Sequence, residues 1–299
     1  MLSLQTGVAG FFKLEAVRLD GTKRLLADWF PNLITDLGID LLGSSEAWLT
    51  YCQVGTGSTA PAVTDTALAS RLAAISATVS DTGACTSSSP YYTSRTRTYR
   101  FGVGVAAGNL TEVGISTSTT TVLFSRALIL DSGGSPTTVT VLSDESLDVT
   151  YQVRQYIPEG DSTGTVVLRG TTHDWTGRAS NVTTNSFAGW LIENTGSRAN
   201  RTSSWRYAYS GAIGLITTYP SGTFSQGTAS ASSYTNGTFY NDFTLSFSIT
   251  QGNFAGGIQS IAIMMGIGTY QFGFNPNIMK TSSDVLVLNF RHSWARKTI

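Results

Sequence analysis

Hydrophobic and polar residues alternate most regularly between Leu147 and Arg154. One side of this segment carries four apolar side chains, those of Leu147, Val149, Tyr151 and Val153. The other side carries four polar side chains, those of Asp148, Thr150, Gln152 and Arg154. A period of two residues is typical of a strand with one buried face and one face in water. We therefore predict an amphipathic strand within residues 137–157.

Turn residues separate this strand from its neighbours. Asp131-Ser-Gly-Gly-Ser-Pro136 follows a second strand pattern at Leu123–Leu130 and predicts a hairpin connection, because glycine readily adopts positive φ angles. Asp20-Gly21 predicts another hairpin turn, within residues 11–30. Residues 35–42 instead predict a short helix, with Thr35 as its N-cap.

The strand patterns fall into two blocks. The segment at residues 158–164, Pro-Glu-Gly-Asp-Ser-Thr-Gly, combines proline, glycine and polar residues, and it predicts a linker. We therefore expect an N-terminal β-sandwich module over residues 1–157, which includes the short helix. A C-terminal, aromatic-rich β-sandwich module is expected over residues 165–299.

The second block resembles a diverged copy of the first. Tyr99–Asn109 aligns without gaps on Phe243–Asn253, and both segments end in Gly-Asn. Ser146–Arg154 aligns in the same way on Ser283–Arg291. Because the order of these elements agrees, the sequence predicts a mainly β protein of two tandem, related antiparallel β-sandwich modules.

The composition favours an assembled protein over a binder of charged partners. Charged residues make up 13% of the chain, about half the usual share, and 19 basic side chains balance 19 acidic ones. A net charge of zero provides no field that would attract nucleic acid or anionic lipid, so we expect neither partner. A surface rich in Ser and Thr with little charge is poorly protected against self-association, which favours burial between subunits.

The ends and apolar segments predict no targeting to a membrane. The first seven residues, Met1–Gly7, lack a basic region followed by an apolar one, so we expect no signal peptide. The most apolar segment, Ile258–Gly268, has about eleven residues, fewer than the ~20 that cross a bilayer. Cys52 and Cys85 are the only cysteines, and the sequence leaves open whether they form a bridge.

Four segments carry a resemblance to a known group of proteins: Trp29–Gly38, Cys52–Ser70, Asn109–Ile115 and Leu123–Ile129. In this order they resemble a group of tailed-bacteriophage virion proteins, which include tail, baseplate, collar and appendage components. The resemblance covers roughly residues 10–157, and the C-terminal half does not match the pattern. It implies a structural part of the particle, with no catalytic residues to transfer.

Three short motifs are candidate chemical sites. Gly55-Thr-Gly-Ser-Thr-Ala60 has the spacing of a dinucleotide fingerprint, but Pro61 follows where a helix should begin, so a turn is expected. His173-Asp174 has no nucleophile motif to serve, and His173 is expected at a surface or interface. Residues 144–148 include three carboxylates without the spacing of a calcium loop. We predict no catalytic residue, no metal and no cofactor.

Aromatic residues concentrate between residues 170 and 240. Six of them are candidate contact residues: Trp175, Trp190, Trp205, Tyr207, Tyr209 and Tyr234. Aromatic rings in polar surroundings suit both sugar stacking and protein interfaces. Residues 205–209 also alternate, so a strand whose rings fill the core is a competing interpretation.

Together these observations predict a non-enzymatic structural component of a tailed-phage virion. Such a protein would be made in the host cytoplasm and located in the virion. Its expected partners are copies of itself, as a ring or a trimer, and other virion proteins. The alternative is a receptor-binding module that contacts a host surface glycan through residues 170–240.

Overall fold

The structure, a computed structural model, describes residues 1–43, 48–182, 205–265 and 268–299. These residues form a mainly β protein with one short helix, α1 (Asp36–Leu41). The strands of the first half are β1 (Leu2–Val17), β2 (Lys23–Pro31), β3 (Leu33–Ile34), β4 (Tyr51–Gly55), β5 (Arg71–Ile75), β6 (Thr78–Cys85), β7 (Tyr92–Phe101), β8 (Gly108–Leu110), β9 (Glu112–Ser116), β10 (Leu123–Leu128), β11 (Val139–Val141) and β12 (Ser146–Tyr156). Those of the second half are β13 (Ser162–Leu168), β14 (Thr171–Ser180), β15 (Arg206–Tyr209), β16 (Phe224–Gln226), β17 (Thr228–Ala231), β18 (Tyr240–Phe247), β19 (Ile258–Met265), β20 (Gly268–Ile278) and β21 (Leu286–Arg296).

The strands are arranged in four sheets. An eight-stranded sheet has the order β17-β18-β21-β1-β12-β7-β6, and β2 also pairs with β1. A five-stranded sheet has the order β3-β10-β9-β4-β5, and a six-stranded sheet has the order β13-β14-β20-β19-β15-β16. Strands β8 and β11 form a two-stranded sheet. Within the described ranges, no helix is long and apolar enough to span a bilayer.

Strand β1 joins the two halves of the chain. It pairs antiparallel with β12, where Gly7 lies opposite Tyr156, and parallel with β21, where Leu2 lies opposite Phe290. The eight-stranded sheet therefore contains strands from both blocks of the sequence. Leu2 and Leu4, near the start of β1, are buried in a core whose other members lie between residues 175 and 290.

Two hydrophobic cores lie on this shared sheet. The first core consists of buried residues between Val8 and Val153, together with Trp294 from the C-terminal strand. The second core includes Phe243, Phe272 and Phe290, each of them at most 1% exposed. Both cores therefore include a strand from the opposite half of the chain. The two halves, which meet near residue 158 in the sequence, do not form two separate cores.

Most local predictions are confirmed. Residues 11–30 form the β1–β2 hairpin, and Thr35 caps α1 by accepting a hydrogen bond from the Gly38 amide at 2.9 Å. The four apolar side chains of the alternating segment in β12 are all buried. Its polar face departs from the expectation, because Asp148 is only 1% exposed. The carboxylate of Asp148 lies between Arg100, at 2.6 and 2.7 Å, and Lys23, at 3.3 Å.

Several predicted boundaries differ from the structure. The predicted linker ends earlier, because Ser162–Gly164 already belong to β13 and pair with β14. The aligned repeat segments occupy β7 and β18 as well as β12 and β21, but in different registers. Tyr99 pairs with Val149, whereas its aligned counterpart Phe243 pairs with Phe290 and not with Leu286. Alternation cannot distinguish registers that differ by an even number of residues.

Candidate functional site

The segments that carry the family resemblance meet at a buried ion pair. The Arg126 guanidinium lies 2.9 Å from Glu112 Oε2, and the exposed fractions of the two side chains are 3% and 0%. Arg126 also donates to Asp65 Oδ2 at 2.7 Å and to the Thr59 carbonyl at 2.9 Å. The pair thus ties the loop between β4 and β5 to strands β9 and β10.

Backbone amides of that loop donate further hydrogen bonds to the Glu112 carboxylate. Its carboxylate accepts hydrogen bonds from Ser70 N at 2.7 Å and from Gly57 N and Ala69 N at 3.0 Å. A side chain at Gly57 or Gly55 would overlap Glu112 Oε1. Gly55 and Gly57 of the fingerprint-like motif therefore leave space for the Glu112 carboxylate. The motif forms a turn around this side chain and not a phosphate-binding loop. The sequence alone did not reveal this partner, because it lies in a distant segment.

The remaining segment of the resemblance packs against the same strands. Thr35 N donates to the Phe124 carbonyl at 3.0 Å, and the Thr35 hydroxyl donates to the Leu123 carbonyl. A Cβ atom at Gly38 would overlap the Phe124 carbonyl oxygen, so glycine permits close contact between α1 and β10. We call Thr35, Gly38, Glu112 and Arg126 the interlock. Its polar groups bond to each other and to the backbone, which suits a structural role.

A group of aromatic side chains lies on the outer face of the six-stranded sheet. Ala208 of β15 is fully buried in the second core, so its neighbours Tyr207 and Tyr209 face the opposite side. Phe224 of β16 lies opposite Tyr209 in the sheet, and 64% of its surface is exposed. We define the aromatic surface as five residues: Trp205, Tyr207, Tyr209, Tyr219 and Phe224.

The rings of the aromatic surface contact each other edge to face. Trp205 lies 5.5 Å from Tyr207 and 4.9 Å from Tyr219, and Tyr207 lies 5.2 Å from Phe224, measured between ring centroids. The Tyr219 hydroxyl accepts hydrogen bonds from Trp205 Nε1 and from Asn181 Nδ2. Burial raises the pKa of Tyr209 to about 12 and also raises the pKa of Tyr219. Both phenols are therefore neutral donors or acceptors at neutral pH.

A folded loop supports this surface. Gln271 of β20 is fully buried, and its Oε1 accepts a hydrogen bond from Gly214 N at 2.7 Å. Its Nε2 donates to the Leu215 carbonyl at 2.9 Å and to the Ala179 carbonyl at 3.1 Å. These bonds hold the connection between β15 and β16 against the outer face of the sheet, and they position Tyr219 beside Trp205.

Only part of the predicted contact set comes together here. Trp205, Tyr207 and Tyr209 adjoin as strand spacing suggested, and Trp190 lies outside the described residues. Trp175 is 5% exposed and packs at 5.9 Å on Phe272, so it is a core residue. Phe224 and Tyr219 are absent from the predicted contact set, because Phe224 lies in a strand of only three residues and Tyr219 lies in a loop, and neither carries a periodic signal.

Tyr234 is also a packing residue and not part of the aromatic surface. Its ring packs against the first core and lies 5.5 Å from that of Trp294, and its hydroxyl donates to Asp40 Oδ1 at 2.6 Å. Burial raises the pKa of the Tyr234 hydroxyl, and the hydrogen bond to the Asp40 carboxylate raises it further. The hydrogen bond between Tyr234 and Asp40 joins the loop before β18 to the end of α1.

His173 and Glu145, two of the other candidate residues, have structural partners. His173 was expected at a surface but is 3% exposed, and its Nδ1 lies 2.6 Å from the Pro276 carbonyl oxygen. Glu145 accepts from Arg24 at 2.7 Å, and this bond holds its pKa below the usual range. No cluster of three or more His, Cys, Asp or Glu that could hold a metal ion occurs in the described part of the chain. Cys52 and Cys85 are free thiols.

Comparisons with protein-family models, curated proteins and solved structures found no match for this chain.

Proposed function

We propose that this protein is a non-enzymatic structural component of a tailed-phage virion, assembling through the surfaces and edges of its sheets. The sequence resemblance supports the phage assignment, and the low charge supports burial between subunits. One structural observation favours assembly most directly. Strand β6 forms an edge of the eight-stranded sheet, and it pairs only with β7 among the described strands.

The edge at β6 is suited to pairing with another strand. Thr86 N, just beyond β6, donates a hydrogen bond to the Tyr92 carbonyl at 3.0 Å. In an antiparallel pair every second residue bonds to the partner strand, so this bond determines which residues of β6 bond to β7. The backbone groups of Asp81 and Gly83 then point away from β7. Edge strands of free monomers are commonly protected by lysine or proline. Residues 80–85, Ser-Asp-Thr-Gly-Ala-Cys, contain neither, and the Asp81 carboxylate is already bonded to Arg97.

We further propose that the two halves are related β-sandwich modules that share β1. The order of strands supports this relationship. On one side of β1 the order is β12, β7 and β6, and on the other side it is β21, β18 and β17. In the facing sheets, β10-β9-β4-β5 of the first half corresponds to β20-β19-β15-β16 of the second half, in the same chain order.

Assembly through β6 can be tested with lysines on the edge. The variant Ser80→Lys/Thr82→Lys places two charges on the exposed strand and should shift the purified protein from oligomer to monomer. Thr120→Lys/Ser282→Lys adds the same charge at exposed turn positions and should leave the oligomer intact. Light scattering after size-exclusion chromatography measures both. A wild-type protein that stays monomeric at high concentration would contradict assembly through this edge.

Membership of a virion has its own test. Mass spectrometry of purified phage particles should detect this chain at a stoichiometry consistent with a closed ring or trimer. Absence of the chain from particles whose genome encodes it would overturn the proposal, whatever its behaviour in isolation.

A second candidate function is attachment to a host surface glycan through the aromatic surface. The observation that favours it is the exposure of Phe224 beside Tyr207, because monomeric proteins seldom leave clustered rings in water without a use. Tyr207→Ala/Phe224→Ala should then abolish binding to host cells and preserve the oligomer. If the variant binds cells normally but fails to assemble, the aromatic surface is a subunit contact.

A further inference from the structure

A groove unrelated to the aromatic surface lies beside β2. It has a volume of about 570 Å³, within the range of small-molecule binding sites. One wall is formed by Leu25–Pro31 of β2, and the other by residues of the 130–139 segment that leads into β11. Trp29 lines the groove with 43% of its surface exposed, and Leu25 does so with 53% exposed.

A bulge in β2 turns Trp29 outward. Phe30 pairs with Phe12 and Ala27 pairs with Leu14, so Asp28 and Trp29 together lie opposite the single residue Lys13. Such an extra residue changes the direction of the side chains that follow it, and bulges are frequent beside binding sites. In an unbroken ladder, successive side chains point to opposite faces of the sheet, so Asp28 and Trp29 would not lie on the same face. The bulge therefore accounts for an indole that faces the groove while Phe30 remains in the core.

The polar lining of the groove selects the class of ligand. Asp28 and Asp131 contribute carboxylates, and Thr137 and Thr138 contribute hydroxyls. None of the described residues that line the groove is Lys, Arg or His. One oxygen of each carboxylate already accepts from the backbone, Asp28 Oδ1 from Trp29 N and Asp131 Oδ1 from Gly133 N, both at 2.8 Å. The second oxygen of each can accept from a ligand. Anionic ligands would meet only negative charge.

We propose that this groove binds a neutral saccharide. The Trp29 indole provides an apolar face for the C–H face of a sugar ring, and the carboxylates and threonine hydroxyls accept and donate hydrogen bonds to its hydroxyl groups. This pairing of one aromatic ring with several small polar groups matches a ligand that is apolar on its faces and polar at its rim.

An added peptide strand fits this site less well. Strand addition needs a regular row of backbone donors and acceptors along the edge. Strand β2 has two register shifts between residues 25 and 30, and it ends at Pro31, which has no N–H. These irregularities protect the edge from another strand. Recognition at this groove therefore depends on side chains, which favours a small ligand over a polypeptide.

The test is a glycan microarray that contains neutral, amino and acidic saccharides, followed by calorimetric titration with the neutral glycans that bind. Trp29→Ala should weaken binding about tenfold or more, and Trp29→Phe, which retains a ring, should weaken it less. Leu19→Ala removes an exposed apolar side chain that belongs neither to the groove nor to the aromatic surface, and it should leave binding unchanged. Circular dichroism melting of each variant confirms that it is folded.

Four results would overturn the saccharide proposal. These are no glycan bound by the wild-type protein, affinity retained by the folded Trp29→Ala variant, binding restricted to acidic glycans, and Trp29-dependent capture of a second copy of the chain in place of a sugar. The proposal does not rest on assembly through β6. The lysine variants of β6 test that assembly separately, and they should leave glycan affinity unchanged.

Discussion

Arg126 and Glu112 form an ion pair in which the guanidinium and carboxylate lie 2.9 Å apart and almost no side-chain surface reaches solvent. Two charges removed from water are stable only because each one is compensated, here by the other and by the loop amides. The interlock is therefore sensitive to the loss of a single member. It is also the place where the segments of the family resemblance contact each other, so those segments are best explained as parts of one folded unit.

Arg126→Met should reduce the free energy of unfolding by about 3–5 kcal/mol, because it leaves the Glu112 carboxylate buried without its cation. The double variant Arg126→Met/Glu112→Gln should recover part of this loss. Asp161→Asn, which removes an exposed partner of Arg178, should cost less than about 1 kcal/mol and serves as the control. Urea unfolding measures all three, and equal costs for the buried and exposed pairs would contradict the buried ion pair.

Gly38→Ala should destabilise the protein although alanine is the better helix former. The new methyl group would overlap the Phe124 carbonyl oxygen, so α1 must move away from β10 and overpacking of this kind costs about 1–3 kcal/mol or more. Gly160→Ala is a matched control, since nothing lies within 4 Å of its added carbon. Thermal melting of both variants measures the difference, and a Gly38→Ala protein as stable as wild type would show that α1 is not packed against β10.

The sequence predicted local features well because their signals are local. The turn at Asp20-Gly21, the cap at Thr35 and the buried side of β12 all follow from neighbouring residues. The partners of these elements could not be derived in the same way. The pairing of Leu2 with Phe290 depends on residues at opposite ends of the chain, and neither segment encodes the identity of its neighbour.

The candidate sites show the same division. Strand alternation placed Tyr207 and Tyr209 on one face, yet Phe224 joined them only through strand pairing. The exposure of Trp29 depends on a bulge in β2, which the alternation of the sequence does not predict. The alternating pattern predicts that the Asp148 carboxylate faces solvent. In the structure it is buried between Lys23 and Arg100, which belong to other strands.

His292 should make stability depend on pH. It is buried beside Thr6 and Tyr270, with Nε2 3.2 Å from the Thr6 hydroxyl, and burial lowers its pKa to about 3. The unfolded chain, with a histidine pKa of about 6.5, binds the proton more readily. The contribution of neutral His292 is therefore complete above about pH 7 and is lost as the pH falls from about 6.5 towards 3.

The measurement is urea unfolding at several pH values between 7 and 5, where most carboxylates are already ionised. Within this range wild-type stability should fall by up to about 1.4 kcal/mol per pH unit from His292 alone. In His292→Gln this part of the slope should disappear, although the variant is less stable overall. Identical slopes for the two proteins would mean that His292 is accessible to protons in the folded state.

Residues 1–6, at the start of β1, should stabilise the second core more than the first. Terminal residues are usually dispensable, but Leu2 and Leu4 are 0% and 2% exposed and pack among residues of the C-terminal half. Leu4→Ala should cost about 2–5 kcal/mol, as expected for a large side chain lost from a packed core. Removal of residues 1–6 should cost more, because β21 also loses five of the seven residues of β1 with which it pairs.

Amide hydrogen exchange shows which strands are destabilised when residues 1–6 are removed. Removing residues 1–6 should accelerate exchange in β21, which pairs with this part of β1, and in β18, which pairs with β21. It should affect β7 much less, because residues 7–17 still pair with β12. Removal of Thr298 and Ile299, which are exposed, is the control for shortening an end of the chain. Unchanged exchange in β21 would show that the second core is complete without β1. Faster exchange there would instead establish that the C-terminal half of the chain depends on a strand from the N-terminal half.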